Sequence, residues 1–112
     1  MTALTLYGLK NCDTCKKAVK ALEAAGKTVS FTDIRAETDL AAKVPLWLEA
    51  AGADLLVNRR STTWRTLDEA ARGSDPQALL VANATLIKRP VIEDGAQVHV
   101  GWSKSVQAAL GV

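Results

Sequence analysis

The sequence predicts an α/β fold, and three neighbouring segments near its start carry the prediction. An apolar stretch at 3–7 is typical of a short strand, and residues 28–34 are rich in β-branched and aromatic side chains, which indicates a second strand. Between them lies an amphipathic helical pattern that ends at Gly26. A strand, a helix and a strand in this order predict a βαβ unit with parallel strands.

The helix of this unit begins at a Cys-x-x-Cys motif formed by Cys12 and Cys15. We predict the helix from Asp13 to about Ala25, with Cys15 among the apolar residues of its inner face. A Cys-x-x-Cys beside a βαβ pattern is the signature of a thioredoxin-like redox site. The motif therefore predicts both a thioredoxin-like fold and thiol chemistry.

The middle of the chain, at about 39–84, has the pattern of a helical insertion. We predict a helix with Pro45 in its first turn, where proline is tolerated, that stops at Gly52. The other expected helical segments are 54–57, 67–72, and a helix opened by Asp75 and Pro76 that reaches about Ala84.

The end of the chain predicts two strands and a helix. Asp94 and Gly95 form a hairpin turn between an apolar segment around Val91 and the return strand at 97–100, and Ser103 can cap a last helix. The order βαβ, helical insertion, ββα predicts a thioredoxin-like fold with a helical insertion, as a single domain over 1–112.

Composition limits the classes of function. The 112 residues suit one domain, and a net charge of +2 does not by itself indicate a nucleic-acid or membrane partner. The start of the chain lacks a basic segment leading into an apolar run, and no apolar run approaches the length of a membrane span. We therefore expect a cytoplasmic protein, in whose reducing surroundings a Cys-x-x-Cys is catalytic or metal-binding rather than a structural staple.

Cys12 is the predicted nucleophile. The start of a helix leaves backbone N–H groups unpaired and carries the positive end of the helix dipole, and both favour a thiolate. Lys10, Lys16 and Lys17 add positive charge nearby. Cys15, one turn into the helix, is the predicted resolving thiol, able to attack a mixed disulfide formed at Cys12.

Two alternatives for the cysteines are ordinary core residues and half of a zinc site. Structural zinc usually takes four ligands, but the chain has no second cysteine pair and its only histidine is His99. His99 alternates with Val98 and Val100 on a predicted strand, and we expect it on the solvent face. We predict no metal.

Arg60 and Arg89 are the candidate anion-binding residues, since the arginine fork suits carboxylates and oxyanions. The alternative is that both belong to solvated surface pairs. Arg89 is favoured because Pro90 follows it where the thioredoxin-like fold puts a cis-proline beside the redox cysteine.

Three segments resemble the arsenate-reductase-like family, which includes ArsC, Spx and YffB. They are YGLKNCDTCKKA at 7–18, NRRSTTWRTLDE at 58–69 and IKRP at 87–90, and RSTTWR and IKRP are most similar to the YffB branch. The resemblance implies a thioredoxin-like fold with a helical insert and a catalytic cysteine matched by Cys12. It also implies an anion or glutathione site matched by Arg60 and Arg89.

Members of the YffB branch are regarded as glutathione-dependent thiol reductases, and the resemblance implies that activity here. Glutathione would be a co-substrate, no cofactor would be bound, and glutaredoxin or thioredoxin would be further partners. Asn11 and Pro90, which adjoin Cys12 and Arg89 in these motifs, complete the predicted substrate-binding set.

Two departures keep alternatives open. Members that reduce arsenate carry a histidine four residues before the cysteine, where this chain has Gly8, and a third arginine near the last helix, where the only cation is Lys104. The first alternative is nevertheless an arsenate reductase. The second is a redox-sensing regulator of the Spx kind, which binds RNA polymerase.

Overall fold

The computed structural model describes residues 3–112, which group into two compact units. The sheet unit comprises the residues up to Thr38 and those from Arg89 onward, and the helical unit comprises Asp39–Lys88. In chain order the elements are β1 (Ala3–Gly8), α1 (Asp13–Ala24), β2 (Thr28–Asp33), α2 (Leu40–Ala51), α3 (Ala53–Leu56), α4 (Thr62–Thr66), α5 (Glu69–Arg72), α6 (Pro76–Ala82), a 3₁₀ turn (Ala84–Leu86), β3 (Val91–Asp94), β4 (Gln97–Val100) and α7 (Lys104–Ala109).

The sheet unit contains a four-stranded sheet in the order β2-β1-β3-β4. β1 and β2 are parallel, which confirms the predicted βαβ unit, whereas β3 is antiparallel to both β1 and β4. With the helical elements inserted between β2 and β3, the chain has the predicted thioredoxin-like order with a helical insertion. No helix in residues 3–112 is long and apolar enough to cross a membrane.

One face of the sheet packs on α1. Leu6 of β1 lies opposite Ile92 of β3, and both are fully buried in a cluster with the inner face of the helix. That face consists of Cys15, Ala18 and Leu22, spaced three and four residues apart, so the helical period puts all three on one side. The packing fixes α1 against the sheet and sets the position of the residues at its start.

The expected position of His99 on the solvent face is wrong. His99 pairs with Ile92, and residues opposite each other in a sheet share a face, so His99 lies on the core face of the sheet. Its Nε2 atom is buried and has no hydrogen-bond partner within residues 3–112. Alternation of side chains identified the strand correctly but does not say which of its side chains lie on the face that packs on α1.

The first helix of the helical unit, α2, begins earlier than predicted. The Asp39 side chain accepts a hydrogen bond from the backbone N–H of Ala42 at 3.3 Å, and this cap starts α2 at Leu40. Pro45 therefore lies inside the helix and not in its first turn. Its missing N–H leaves one intrahelical hydrogen bond unmade. The predicted end at Gly52 is correct.

The sequence around Trp64 forms a short helix that the helical period did not predict. Ser61 caps α4, its hydroxyl accepting from the backbone N–H of Trp64 at 3.1 Å. Capping by Asp68 begins the next helix at Glu69, so the expected segment at 67–72 is shorter than predicted. A single turn is too short to show a period, and only its cap signals it.

Candidate active site

Cys12 occupies the N-cap of α1 with an extended backbone, φ −90° and ψ 114°. Its Sγ accepts a hydrogen bond from the backbone N–H of Cys15 at 3.4 Å, in place of the hydroxyl or carboxylate that usually caps a helix. The N–H of Cys12 itself donates to the carbonyl oxygen of Leu9 at 3.1 Å. The thiol thus lies where unpaired N–H groups and the positive end of the helix dipole stabilise negative charge.

The pKa of the Cys12 thiol is lowered from its ordinary value of 9.0. Partial burial is the largest single influence and acts to raise this pKa, but it is outweighed by the stabilisation of the thiolate from several neighbours together, first among them hydrogen bonds from the side chain and backbone of Cys15. A hydrogen bond from Arg89 and its positive charge lower the pKa further. Arg89 is therefore a neighbour of Cys12 and favours its thiolate.

Cys15 differs from Cys12 in both its exposure and the direction of its pKa shift. It is 0 % exposed, and burial, together with the hydrogen bond that its thiol donates to Cys12, raises its pKa to about 12. The proton stays on Cys15 while Cys12 takes the negative charge. One motif therefore holds two chemically distinct sulfurs, a partly exposed thiolate and a buried thiol.

Gly8 is required by the close approach of Cys15, a relation that sequence reasoning did not find. A Cβ at position 8 would lie 2.5 Å from Cys15 Sγ and 3.2 Å from Cys15 Cβ. Gly8 is also the last residue of β1, where its carbonyl accepts from the N–H of Ile34 at 2.9 Å. The one feature of the sequence that could have indicated this close approach is a glycine at the end of the strand before a Cys-x-x-Cys.

Arg89 leads into β3 through a cis peptide bond to Pro90, as the sequence predicted. Pro90 is buried, and its carbonyl oxygen accepts from the N–H of Gly101 at 2.8 Å. Asn11 lies exposed in the loop just before Cys12. The proposed substrate contacts of Asn11, Arg89 and Pro90 remain predictions.

Arg60 belongs to the helical unit and is exposed, with its backbone N–H donating to Asn58 Oδ1 at 3.2 Å. It lines a polar depression of about 320 Å³ together with Asp54, Leu55, Val57, Asn58, Arg59 and Lys88. Its predicted contact with an anionic substrate also stays a prediction.

A metal site is not evident in the part of the chain that the structure describes. No group of three or more histidine, cysteine, aspartate or glutamate side chains lies close enough together to hold an ion in residues 3–112. Around Cys12 the structure brings together a second thiol, an arginine and a helix N-terminus.

A thioredoxin-like fold with an activated cysteine at a helix start defines a class of thiol-based redox proteins. The family model described as the ArsC family matches residues 7–109. The chain belongs to this family of arsenate-reductase-related thiol oxidoreductases, as its three motifs predicted.

The relatives and solved structures agree with this assignment. An uncharacterised protein of Haemophilus influenzae is 41% identical over 96% of this chain and 98% of its own length. A structure of a YFFB protein has 33% identity and a TM-score of 0.87, covering 97% of this chain and 99% of that one. A protein of Brucella melitensis, described as related to an arsenate reductase, has 34% identity and a TM-score of 0.76, covering 98% and 96%.

Proposed function

We propose that this protein is a glutathione-dependent thiol–disulfide oxidoreductase that reduces mixed disulfides of glutathione. The observation that supports the proposal most directly is the division of charge between the two cysteines. Cys12 is partly exposed with a lowered pKa, and Cys15 is buried with a pKa raised to about 12. A reductase needs a thiolate that is both reactive and accessible.

In the first step the Cys12 thiolate attacks the glutathione sulfur of a mixed disulfide. A new disulfide forms between Cys12 and glutathione, the old S–S bond breaks, and the substrate leaves as a thiolate that takes up a proton from solvent. Arg89, beside Cys12, would hold a carboxylate of the glutathione moiety in a charge-assisted pair.

In the second step a second glutathione, as its thiolate, attacks the sulfur of the glutathione bound to Cys12. Oxidised glutathione leaves and the Cys12 thiolate is restored, so two glutathione thiols supply the two electrons that reduce the substrate. Cys15 offers a second route, in which it displaces glutathione and forms a disulfide with Cys12. Burial keeps the Cys15 thiol protonated, which disfavours this second route and supports the glutathione route.

The test is reduction of a glutathionylated peptide by excess glutathione, with the oxidised glutathione measured through glutathione reductase and NADPH. We expect Cys12→Ser to fall to the uncatalysed rate. Cys15→Ser is the matched variant, because serine keeps a hydrogen-bond donor beside Cys12, and we expect it to retain most of the turnover.

Two outcomes would contradict the proposal in different ways. If the wild-type protein does not exceed the rate of glutathione alone, the enzyme assignment is wrong. If Cys15→Ser loses as much turnover as Cys12→Ser, the reaction passes through a disulfide between the two cysteines and the glutathione route is wrong.

A further inference from the structure

A groove of about 480 Å³ runs along α1 in the sheet unit. One wall is a stripe of α1 at positions 16, 19, 20 and 23, a spacing that puts these residues on one side of the helix, next to its core face. The opposite side is Phe31 of β2, the edge strand of the sheet. Leu9 and Lys10, in the loop before Cys12, complete the lining.

The floor of the groove is apolar. Leu9, Val19 and Phe31 line it, and all three are only partly buried. Val19 and Phe31 pack with one side against the hydrophobic core, so the other side is open to the groove. An apolar side chain placed there removes its own surface and theirs from water, which favours binding.

The rim of the groove is cationic. Lys10, Lys16 and Lys20 are exposed around it, and Glu23 is the one acidic residue of the lining. Three ammonium groups against one carboxylate favour an anionic occupant and disfavour a basic one. The combination of floor and rim suits a segment with an apolar side chain between acidic residues.

The lining is continuous with the backbone that holds the nucleophile. The carbonyl of Leu9 accepts the N–H of Cys12 at 3.1 Å, and the N–H of Lys16 donates to the carbonyl of Cys12 at 3.1 Å. A molecule whose disulfide reacts at Cys12 therefore has its neighbouring residues close to the groove.

We propose that the groove binds an acidic segment, carrying one apolar side chain, of the protein whose mixed disulfide reacts at Cys12. The inference rests on the proposed function, since it names the class of substrate for that site. It assigns to Lys10, Lys16 and Lys20 the selection of acidic protein substrates, and to Leu9, Val19 and Phe31 the binding of the apolar side chain.

The test compares two glutathionylated peptides of equal length, one with glutamates around a leucine beside the cysteine and one with glutamines in place of the glutamates. We expect wild-type protein to favour the acidic peptide in kcat/KM, and the preference to weaken as salt is added. Lys20→Glu should reduce the ratio between the peptides roughly fivefold, the upper end for an exposed ion pair. Because the result is a ratio of kcat/KM values between two peptides, a change in the overall activity of the variant does not affect it.

Lys17→Glu is the matched control, because Lys17 lies on the same helix and is exposed but does not line the groove. We expect it to leave the ratio unchanged. An equal loss in both variants would show that general charge, not the groove, sets the preference, and no loss in Lys20→Glu would also overturn the proposal. Replacing the peptide leucine by serine should weaken binding in the wild-type protein, and an unchanged affinity would remove the apolar floor from the proposal.

A binding measurement separates this inference from the proposed function. The same peptides with serine in place of cysteine, labelled with a fluorophore, are titrated with protein and followed by anisotropy. If the protein shows no turnover but binds the acidic peptide more tightly, and Lys20→Glu loses this preference, the proposed enzymatic function is wrong and the proposed binding groove stands. If the protein shows turnover but no difference in affinity or rate between the two peptides, the proposed enzymatic function stands and the proposed binding groove is wrong.

Discussion

Arginines in the two units differ in what surrounds them. Arg89 of the sheet unit is half-buried and lowers the pKa of the Cys12 thiol beside it. In the helical unit the exposed Arg59 and Arg72 each place their guanidinium 5.5 Å from the ring of Trp64. A charge shielded from water changes the chemistry of its neighbour, whereas an exposed one is screened and contributes mainly packing.

The contacts of the helical arginines support this distinction. Arg72 donates to the backbone carbonyls of Trp64 and Arg65 at 3.2 and 3.3 Å, which ties α5 to α4. Arg59 also pairs with Asp54 at 3.5 Å, but the Asp54 side chain is fully exposed, and such pairs add little stability. Arg89 of the sheet unit therefore acts on the pKa of a thiol, whereas Arg59 and Arg72 of the helical unit make structural contacts.

The largest expected effect tests how tightly the sheet unit is packed around its cysteines. Gly8→Ala would place a methyl group 2.5 Å from Cys15 Sγ, and Cys15 is fully buried, so the core must shift. We expect a loss of about 1–3 kcal/mol in the free energy of unfolding, the usual cost of overpacking. Chemical denaturation measures it.

Gly73→Ala in the helical unit is the control. Its Cβ would meet only the carbonyl oxygen of Glu69 at 3.6 Å and that of Ala70 at 3.8 Å, and its φ of −87° suits alanine. We expect no loss and a gain of up to about 1 kcal/mol from the less flexible unfolded chain. In a Cys15→Ala background Gly8→Ala should cost less, and an unchanged cost there would mean that Cys15 is not the obstacle.

The second effect tests the chemical role of the half-buried arginine. Arg89→Ala should raise the pKa of Cys12, because it removes both a hydrogen bond to the thiolate and a positive charge. The rate of alkylation by iodoacetamide follows the thiolate fraction, so at a pH well below the wild-type midpoint it should fall about tenfold for each unit by which the pKa rises.

The pH profile gives the sign of the effect. In the wild-type protein the alkylation rate should rise with pH and level off above a midpoint below 9.0, and in Arg89→Ala the midpoint should move upward. Buried Cys15, with a pKa of about 12, should not contribute, which peptide mapping by mass spectrometry can check. Arg35→Ala removes an exposed charge from the same unit, and an equal shift there would reject a specific role for Arg89.

The smallest effect tests the structural role of the exposed arginines. Arg72→Ala removes two hydrogen bonds to backbone carbonyls and a cation–π contact, and we expect a loss of about 0.5–1.5 kcal/mol in the free energy of unfolding. Arg65→Ala, an exposed residue of α4, should stay within about 0.5 kcal/mol of the wild type. Equal losses would mean that the contacts of Arg72 are no stronger than general surface effects.

Local patterns were enough for most of the fold. The βαβ unit, the start of α1 at the Cys-x-x-Cys, the hairpin at Gly95 and the cis bond before Pro90 agree with the sequence prediction. The first three depend on residues that are near one another in the chain, through helical or strand period, capping and turn preference, whereas the cis bond was expected from the place of Pro90 in the thioredoxin-like fold. The prediction for Pro45 was wrong because the cap of its helix begins that helix earlier than the apolar pattern indicates. The helix α4 was missed because its cap begins a short helix that has no apolar pattern.

The fold class and the family could be read from the amino-acid sequence, which also singled out Cys12 as the candidate nucleophile, because a motif and its local helix carry that information. The tertiary structure decided which sulfur keeps its proton, why position 8 is glycine and which face of the sheet His99 occupies. These depend on burial and on contacts between residues far apart in the chain. Burial determines both the pKa of Cys15 and the space left at Gly8, and burial exists only once the sheet and α1 have packed together.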